Sequence, residues 1–122
     1  MINVLWVALG GALGASARYG VGCLLQRSAA SIPLATLAVN ALGCLLAGAC
    51  MGWSERQALA PSLRLFLLTG ALGGFTTFSA FGVETLALQR AGRPGLALAN
   101  ILLQLLVGLG AASLGWRLTA RA

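Results

Sequence analysis

Residues 68–85 read "LTGALGGFTTFSAFGVET", and the reading of this stretch decides the fold. It lies in an apolar segment running from about Leu63 to Gln89. That is long enough to cross a bilayer as a helix, which takes about 20 residues. Its middle nonetheless holds Gly73, Gly74, Thr76 and Thr77. Glycine inside a helix costs about 1 kcal/mol relative to alanine, and β-branched threonine is mildly unfavourable. Clustered in this way, the four residues predict a break near 73–77, close to the bilayer midplane. A glycine-softened but continuous helix, packed tightly on a neighbour, is the other reading of the same residues.

A break has chemical consequences. Carbonyls at the end of the first half, from Gly73 to Thr76, lose their helical partners and become available to a small cation. Free N–H groups at the start of the second half form a partly positive end, with Thr76 or Thr77 as its cap. Non-helical backbone at that depth persists only where it is buried in protein or lines a wet cavity. Broken midplane helices build ion sites in many transport proteins. Just beyond, Phe78 and Phe81 stand at i and i+3 and share a helix face. Aromatic ring edges are electropositive. Two edges aimed at one point therefore suit a small anion, without the full charge that would hold it too tightly for release. An isolated FxxF also reads as lipid-facing or core bulk.

The rest of the chain supplies the membrane context. Of its 122 residues 59% are hydrophobic and only 8% charged, against roughly 25% in soluble proteins. So few charges cannot cover a soluble surface, and the chain reads as an all-α integral membrane protein. Three further crossings are expected: Ile2 to Leu25, Pro33 to about Trp53, and Gly95 to residue 116 or 117. The connections "QRSAASI", "SERQALAPS" and "RAGRP" are short and leave no room for a soluble domain, so residues 1–122 read as one transmembrane unit. The N-terminus "MINVLWVALGG" lacks a basic leader and does not read as a cleavable signal.

Net charge is +6, and every basic residue is an arginine. The arginines fall mostly between or at the ends of apolar runs, where they meet headgroups and water, so no nucleic-acid role is expected. With four crossings, one face carries Arg56, Arg64, Arg117 and Arg121, and the other Arg27, Arg90, Arg93 and, if it snorkels outward, Arg18. The positive-inside bias is nearly nil. A balanced chain can insert both ways, which points to dual topology and an antiparallel homodimer; chance balance among few arginines is the other reading. Small residues recur at helical spacing, in the GxxxG pairs Gly10/Gly14, Gly48/Gly52 and Gly70/Gly74. This spacing lets backbones approach closely in lipid, within or between subunits. Cys23, Cys44 and Cys50 form no CxxC pair and read as small packing residues. Histidine, aspartate and lysine are missing, and Glu55 and Glu84 form no evident acid–base pair, so no enzyme is expected.

Polar residues in the other crossings complete the candidate site. Asn40, central in the second crossing, offers amide N–H groups to an anion or to a neighbouring helix. Asn100 and Gln104 stand one turn apart and form either a polar track beside the rings or interhelical glue. Arg18, late in the first helix, would attract anions at a vestibule. Glu84 shares the face of the rings and is read as a partner for an arginine or a proton-coupling group.

Three stretches together resemble the CrcB/Fluc family of fluoride channels: "GGALGASARYG", "TLAVNALGCLLAG" and "GALGGFTTFSAF". The likeness spans nearly the whole chain, and the third motif is the specific one. It implies a passive, selective channel that exports fluoride from the bacterial cytoplasm across the inner membrane. It further implies an antiparallel dual-topology dimer, with two pores and a structural sodium ion on its axis. By this resemblance sodium would be held by the backbone carbonyls of Gly73 and Thr76. Fluoride would pass Phe78, Ser79, Phe81, Asn40, Asn100 and Gln104, with Arg18 at the vestibule. Ala80 departs from the pattern, standing where relatives often carry a hydroxyl. The fourth helix departs as well. Asn100 and Gln104, followed by Gly108 and Ala112, replace the hydroxyl residues found in some relatives. The rival reading is a small four-helix proton-coupled multidrug exporter. It needs a membrane carboxylate, and the first three crossings offer only Glu84, away from the first helix where that family keeps its own.

Overall fold

The computed structural model describes residues 1–25, 32–57 and 59–120, and is all-helical over them. Arg27, Arg121 and most of the first connection lie outside these residues. Two long helices come first, α1 (Ile2–Leu25) and α2 (Leu34–Arg56). The third crossing, Pro61–Arg90, is composite. It comprises α3 (Pro61–Arg64), π-helical turns over Leu65–Leu72, a short α4 (Gly73–Phe75) and then α5 (Phe78–Arg90). Last comes α6 (Pro94–Ala120). All four crossings are long and apolar enough to span a membrane. At 1.5 Å per residue, 23 to 30 residues make about 35–45 Å of helix, against a hydrocarbon core of about 30 Å.

Local sequence explains the helix ends. Pro61 stands at the first position of α3, where its missing N–H costs nothing, whereas Pro33 is the N-cap of α2 rather than part of its first turn. At the end of α5 the chain reverses at Gly92, whose φ of 71° places it in the left-handed region. Gly92 N–H donates to Gln89 O and Arg93 N–H to Leu88 O, the two hydrogen bonds of a Schellman cap.

Packing is chiefly pairwise: α2 lies along α6, and α1 along the Leu65–Phe75 half of the third crossing. Both pairs close on glycine. A Cβ added at Gly10 or Gly14 would strike the backbone of Phe66 and Ala71, and one added at Gly70 or Gly74 would strike that of Val7, Gly10 and Gly11. At the other seam, Gly48 sits against Ala112 O, Gly52 against Trp116 O, and Gly115 against Leu45 O. The three GxxxG pairs therefore serve contacts within the subunit. The second half of the third crossing, α5, turns away from α1 and leans on α6.

Burial runs opposite to that of a soluble domain. Asn100 is fully buried, and Thr36 and Thr77 are buried as well, while Leu5, Leu9, Leu13, Leu106 and Leu109 face outward. An apolar exterior around a small polar interior suits lipid as the solvent.

Candidate functional site

The site is built around two residues of the third crossing. Thr76 (φ −74°, ψ 158°) and Thr77 (φ −150°, ψ 112°) are extended, between helical residues on either side. Thr76 N–H still reaches Leu72 O at 3.0 Å, and its hydroxyl caps the same carbonyl at 2.9 Å. The next donors are diverted. Thr77 N–H, which would bond Gly73 O in a continuous α-helix, donates to Asn40 Oδ1 at 2.8 Å. Ala80 N–H, which would bond Thr76 O, donates to Thr77 Oγ1 at 3.1 Å. Of the two threonines Thr77 is thus the cap of α5, and its hydroxyl also meets Ser79 Oγ at 3.2 Å.

Asn40 holds the extended residue from both sides. Besides accepting from Thr77 N–H, its Nδ2 donates to Thr77 O at 3.1 Å and to Gln104 Oε1 at 3.1 Å. One side chain of α2 thereby substitutes for helical bonds that Thr77 does not make, and ties the third crossing to α6. Both Asn40 N–H groups are given to protein oxygens, so of the two roles expected of it the structure displays the bond to neighbouring helices.

Phe78 and Phe81 lie with ring centroids 5.3 Å apart at an interplanar angle of 63°, an edge-to-face pair. Together with Asn40, Cys44, Thr76, Thr77, Gln104 and Leu105 they line a cavity of about 250 Å³. Phe78 is 82% exposed, so the cavity is bounded on one side by a ring that the subunit itself does not cover. Gly73 is exposed too, while Thr76 is half-buried. A second, smaller cavity of about 130 Å³ is lined by Arg18, Gly22, Ala35, Thr36, Val39, Thr77 and Ala80. Thr77 is the residue common to both walls. Arg18 is half-buried there, with its Nε atom buried and unpartnered among the described residues.

Other residues fall elsewhere. Asn100 does not line the ring cavity: it is fully buried, and its Nδ2 donates to Thr85 Oγ1 at 2.9 Å, joining α6 to α5. Glu84 departs from its expected arginine partner. Its Oε1 accepts from the Thr36 hydroxyl at 2.6 Å, while its Oε2 is buried without a hydrogen-bond partner among the described residues. Cys44, which reads from the sequence as a small packing residue, stands on the cavity wall one turn beyond Asn40. The periodicity of α2 carried that signal, since Thr36, Asn40 and Cys44 follow one another at i+4. The Asn40–Thr77 and Thr36–Glu84 pairs join residues 37 and 48 positions apart, which spacing along one helix does not reveal.

The sequence that builds this arrangement, a short extended segment clamped by the half-buried Asn40 amide and flanked by an aromatic pair, matches a known family. The family model described as CrcB-like protein, Camphor Resistance (CrcB), covers residues 5–116. The chain belongs to the CrcB-like family. Among its relatives, the "Fluoride-specific ion channel FluC" of Thermus thermophilus is 51% identical over 119 residues, covering 97% of this chain and 95% of that protein. A protein of the same name from Methylobacillus flagellatus is 45% identical over 121 residues (97% and 94%). Another from Paracoccus denitrificans is 48% identical over 114 residues (91% and 89%). With four apolar crossings and these relatives, the CrcB-like chain is a multi-pass membrane protein of a non-enzymatic, ion-channel family.

Proposed function

We propose that this chain is a fluoride channel, conducting fluoride passively out of the bacterial cytoplasm through the inner membrane. The observation that carries the reading is the likeness, over 97% of the chain, to relatives named for that ion. The geometry supplies a means. Fluoride gathers at Arg18, whose cavity meets the ring cavity at Thr77. It then passes a neutral wall formed by Phe78, Phe81, Asn40 and Gln104, with Ser79 next to it at the Thr77 hydroxyl and Asn100 behind it bracing α5 against α6. Neutral partners compensate dehydration without trapping the ion, which passage through a membrane requires.

The break near 73–77 is the working part of the proposal, and the active unit is an antiparallel, dual-topology homodimer. The exposed Gly73 and the uncovered Phe78 ring support a second copy on this face. Sodium is the proposed structural ion. The carbonyls of Gly73 and Thr76 fit it: both have lost their ordinary α-helical donors, and uncharged oxygens suit a hard monovalent cation. Bound there, the ion would supply fixed positive charge at the dimer centre. The exporter reading finds less support, since the relatives are named for fluoride and the one membrane carboxylate in the first three crossings, Glu84, lies on the third rather than the first.

The test is fluoride efflux from liposomes loaded with potassium fluoride, started with a potassium ionophore and followed by a fluoride electrode. Fast efflux without proton coupling, and none with chloride, supports the channel. Proton-driven uptake of an organic cation without fluoride flux refutes it.

A further inference from the structure

A third cavity, which shares no residue with the two above, lies where the third crossing enters the membrane. Its volume is about 600 Å³, and it is lined by Leu59, Pro61, Arg64, Leu65, Leu68 and Thr69. Sites for small molecules run from roughly 300 to 1,000 Å³. All but Leu59 belong to the third crossing, at a spacing that marks one face of it. Another face is packed on α1, with Phe66 edge-to-face on Trp6 and Gly70 against Val7 and Gly10. Leu65, Leu68 and Thr69 sit in the π-helical turns, and such turns are frequent at functional sites.

Polarity changes with depth along this face. The crossing has 30 residues, about 45 Å of helix against a hydrocarbon core of about 30 Å, so about 7 Å projects at each end. Arg64, about 5 Å along from Pro61, stands at headgroup level, and Thr69, about 12 Å along, stands just inside the hydrocarbon boundary. Leu65 and Leu68 supply apolar wall beside them. The chain has no anion to offer Arg64. Its two carboxylates are Glu55, which takes the Trp116 indole N–H on both oxygens at 3.0 Å, and Glu84, which bonds Thr36 in the other half of the fold. Arg64 pairs with neither among the described residues. Thr69 is likewise free. The hydroxyls of Thr36, Thr76, Thr77, Thr85 and Thr119 are all hydrogen-bonded within the chain, whereas that of Thr69 has no such bond among the described residues.

We propose that this cavity binds one anionic phospholipid, its phosphate on Arg64, its glycerol esters at the Thr69 hydroxyl and an acyl chain along Leu65 and Leu68. The charge complements Arg64, and the order of phosphate, ester and chain follows the order of the lining side chains. An unpaired arginine at headgroup level attracts anionic lipid over zwitterionic lipid. The site lies apart from the ring cavity and does not rest on the channel reading.

The experiment is native mass spectrometry of the full chain in neutral detergent. Its probes are phosphatidylglycerol and phosphatidylcholine with the same acyl chains. Arg64→Gln removes the charge and Arg64→Lys keeps it. Arg117→Gln removes an arginine of the same membrane face that does not line the cavity. Expected is retention of phosphatidylglycerol over phosphatidylcholine in the wild type, falling about fivefold in Arg64→Gln, which is what one arginine near an anionic surface contributes. Arg64→Lys and Arg117→Gln should stay within about twofold of the wild type. Equal retention of the two lipids by the wild type overturns the proposal, as does an Arg64→Gln variant that keeps its phosphatidylglycerol. An equal fall in Arg117→Gln overturns it too, because the preference would then belong to net charge. Gel filtration supplies the last arm: an Arg64→Gln chain whose assembly breaks while its lipid retention is unchanged gives the cavity to a second copy and overturns the lipid.

Discussion

Replacing Asn40 by leucine removes a side chain of similar size from three hydrogen bonds: Thr77 N–H at 2.8 Å, Thr77 O at 3.1 Å and Gln104 Oε1 at 3.1 Å. Thr77 is buried, so no water is ready to take the vacated places. Each buried polar group left unpaired costs about 1–3 kcal/mol, which for the two backbone groups of Thr77 makes about 2–6 kcal/mol. An independent scale agrees: interhelical side-chain bonds in membrane proteins average about 0.6 and reach about 1.7 kcal/mol, so three amount to about 2–5 kcal/mol. Against a total stability of about 5–15 kcal/mol, Asn40→Leu should fold but with a melting temperature lower by about 10 °C or more. Thermal unfolding in detergent, followed by tryptophan fluorescence, reads the shift. Hydrogen exchange at the Thr77 amide reads its cause, because that N–H should lose protection while α2 and α6 keep theirs. Unchanged melting together with unchanged Thr77 protection would refute the role given to Asn40.

Phe78→Ile or Phe81→Ile should cut fluoride flux at least tenfold while gel filtration still shows the same assembly; normal flux in both single variants would leave the rings as packing alone. Gly115→Leu should prevent stable folding, since the new side chain meets Leu45 O across the α2–α6 seam, and overpacking costs about 1–3 kcal/mol even where only side chains must yield. Melting within a degree or two of the wild type would show that this seam is looser than described. Withdrawal of sodium, with a large organic cation in its place, should lower the melting temperature and abolish flux, and full activity in sodium-free buffer would remove the ion from the account.

Much of the architecture was legible because membrane helices announce themselves through composition. Apolar runs of more than 20 residues, punctuated by Pro33, Pro61, Pro94 and Gly92, leave few other ways to lay out the chain. The glycine seams were legible as close-packing faces, but their partners were not, because GxxxG states what approaches and not which helix. The π-helical turns were invisible, since "LFLLTGAL" carries no breaking residue before Gly70 and only one polar one, Thr69. Within the site, Phe78, Phe81 and Asn40 could be singled out from residue type and depth. The sharing of Asn40 between Thr77 and Gln104 could not. It depends on the direction of one N–H group, that of Thr77, and hence on tertiary contacts between three crossings. Asn100 shows the same limit from the other side. One turn from Gln104 on the sequence, it bonds instead to Thr85, where α5 packs on α6.

The most direct test of the central claim is the reversal potential of purified protein in a planar bilayer, under a fluoride gradient with chloride equal on both sides. The account predicts a reversal potential at the fluoride equilibrium value, unmoved by a superimposed pH gradient. A reversal potential that follows protons or chloride, or no current at all, would contradict it.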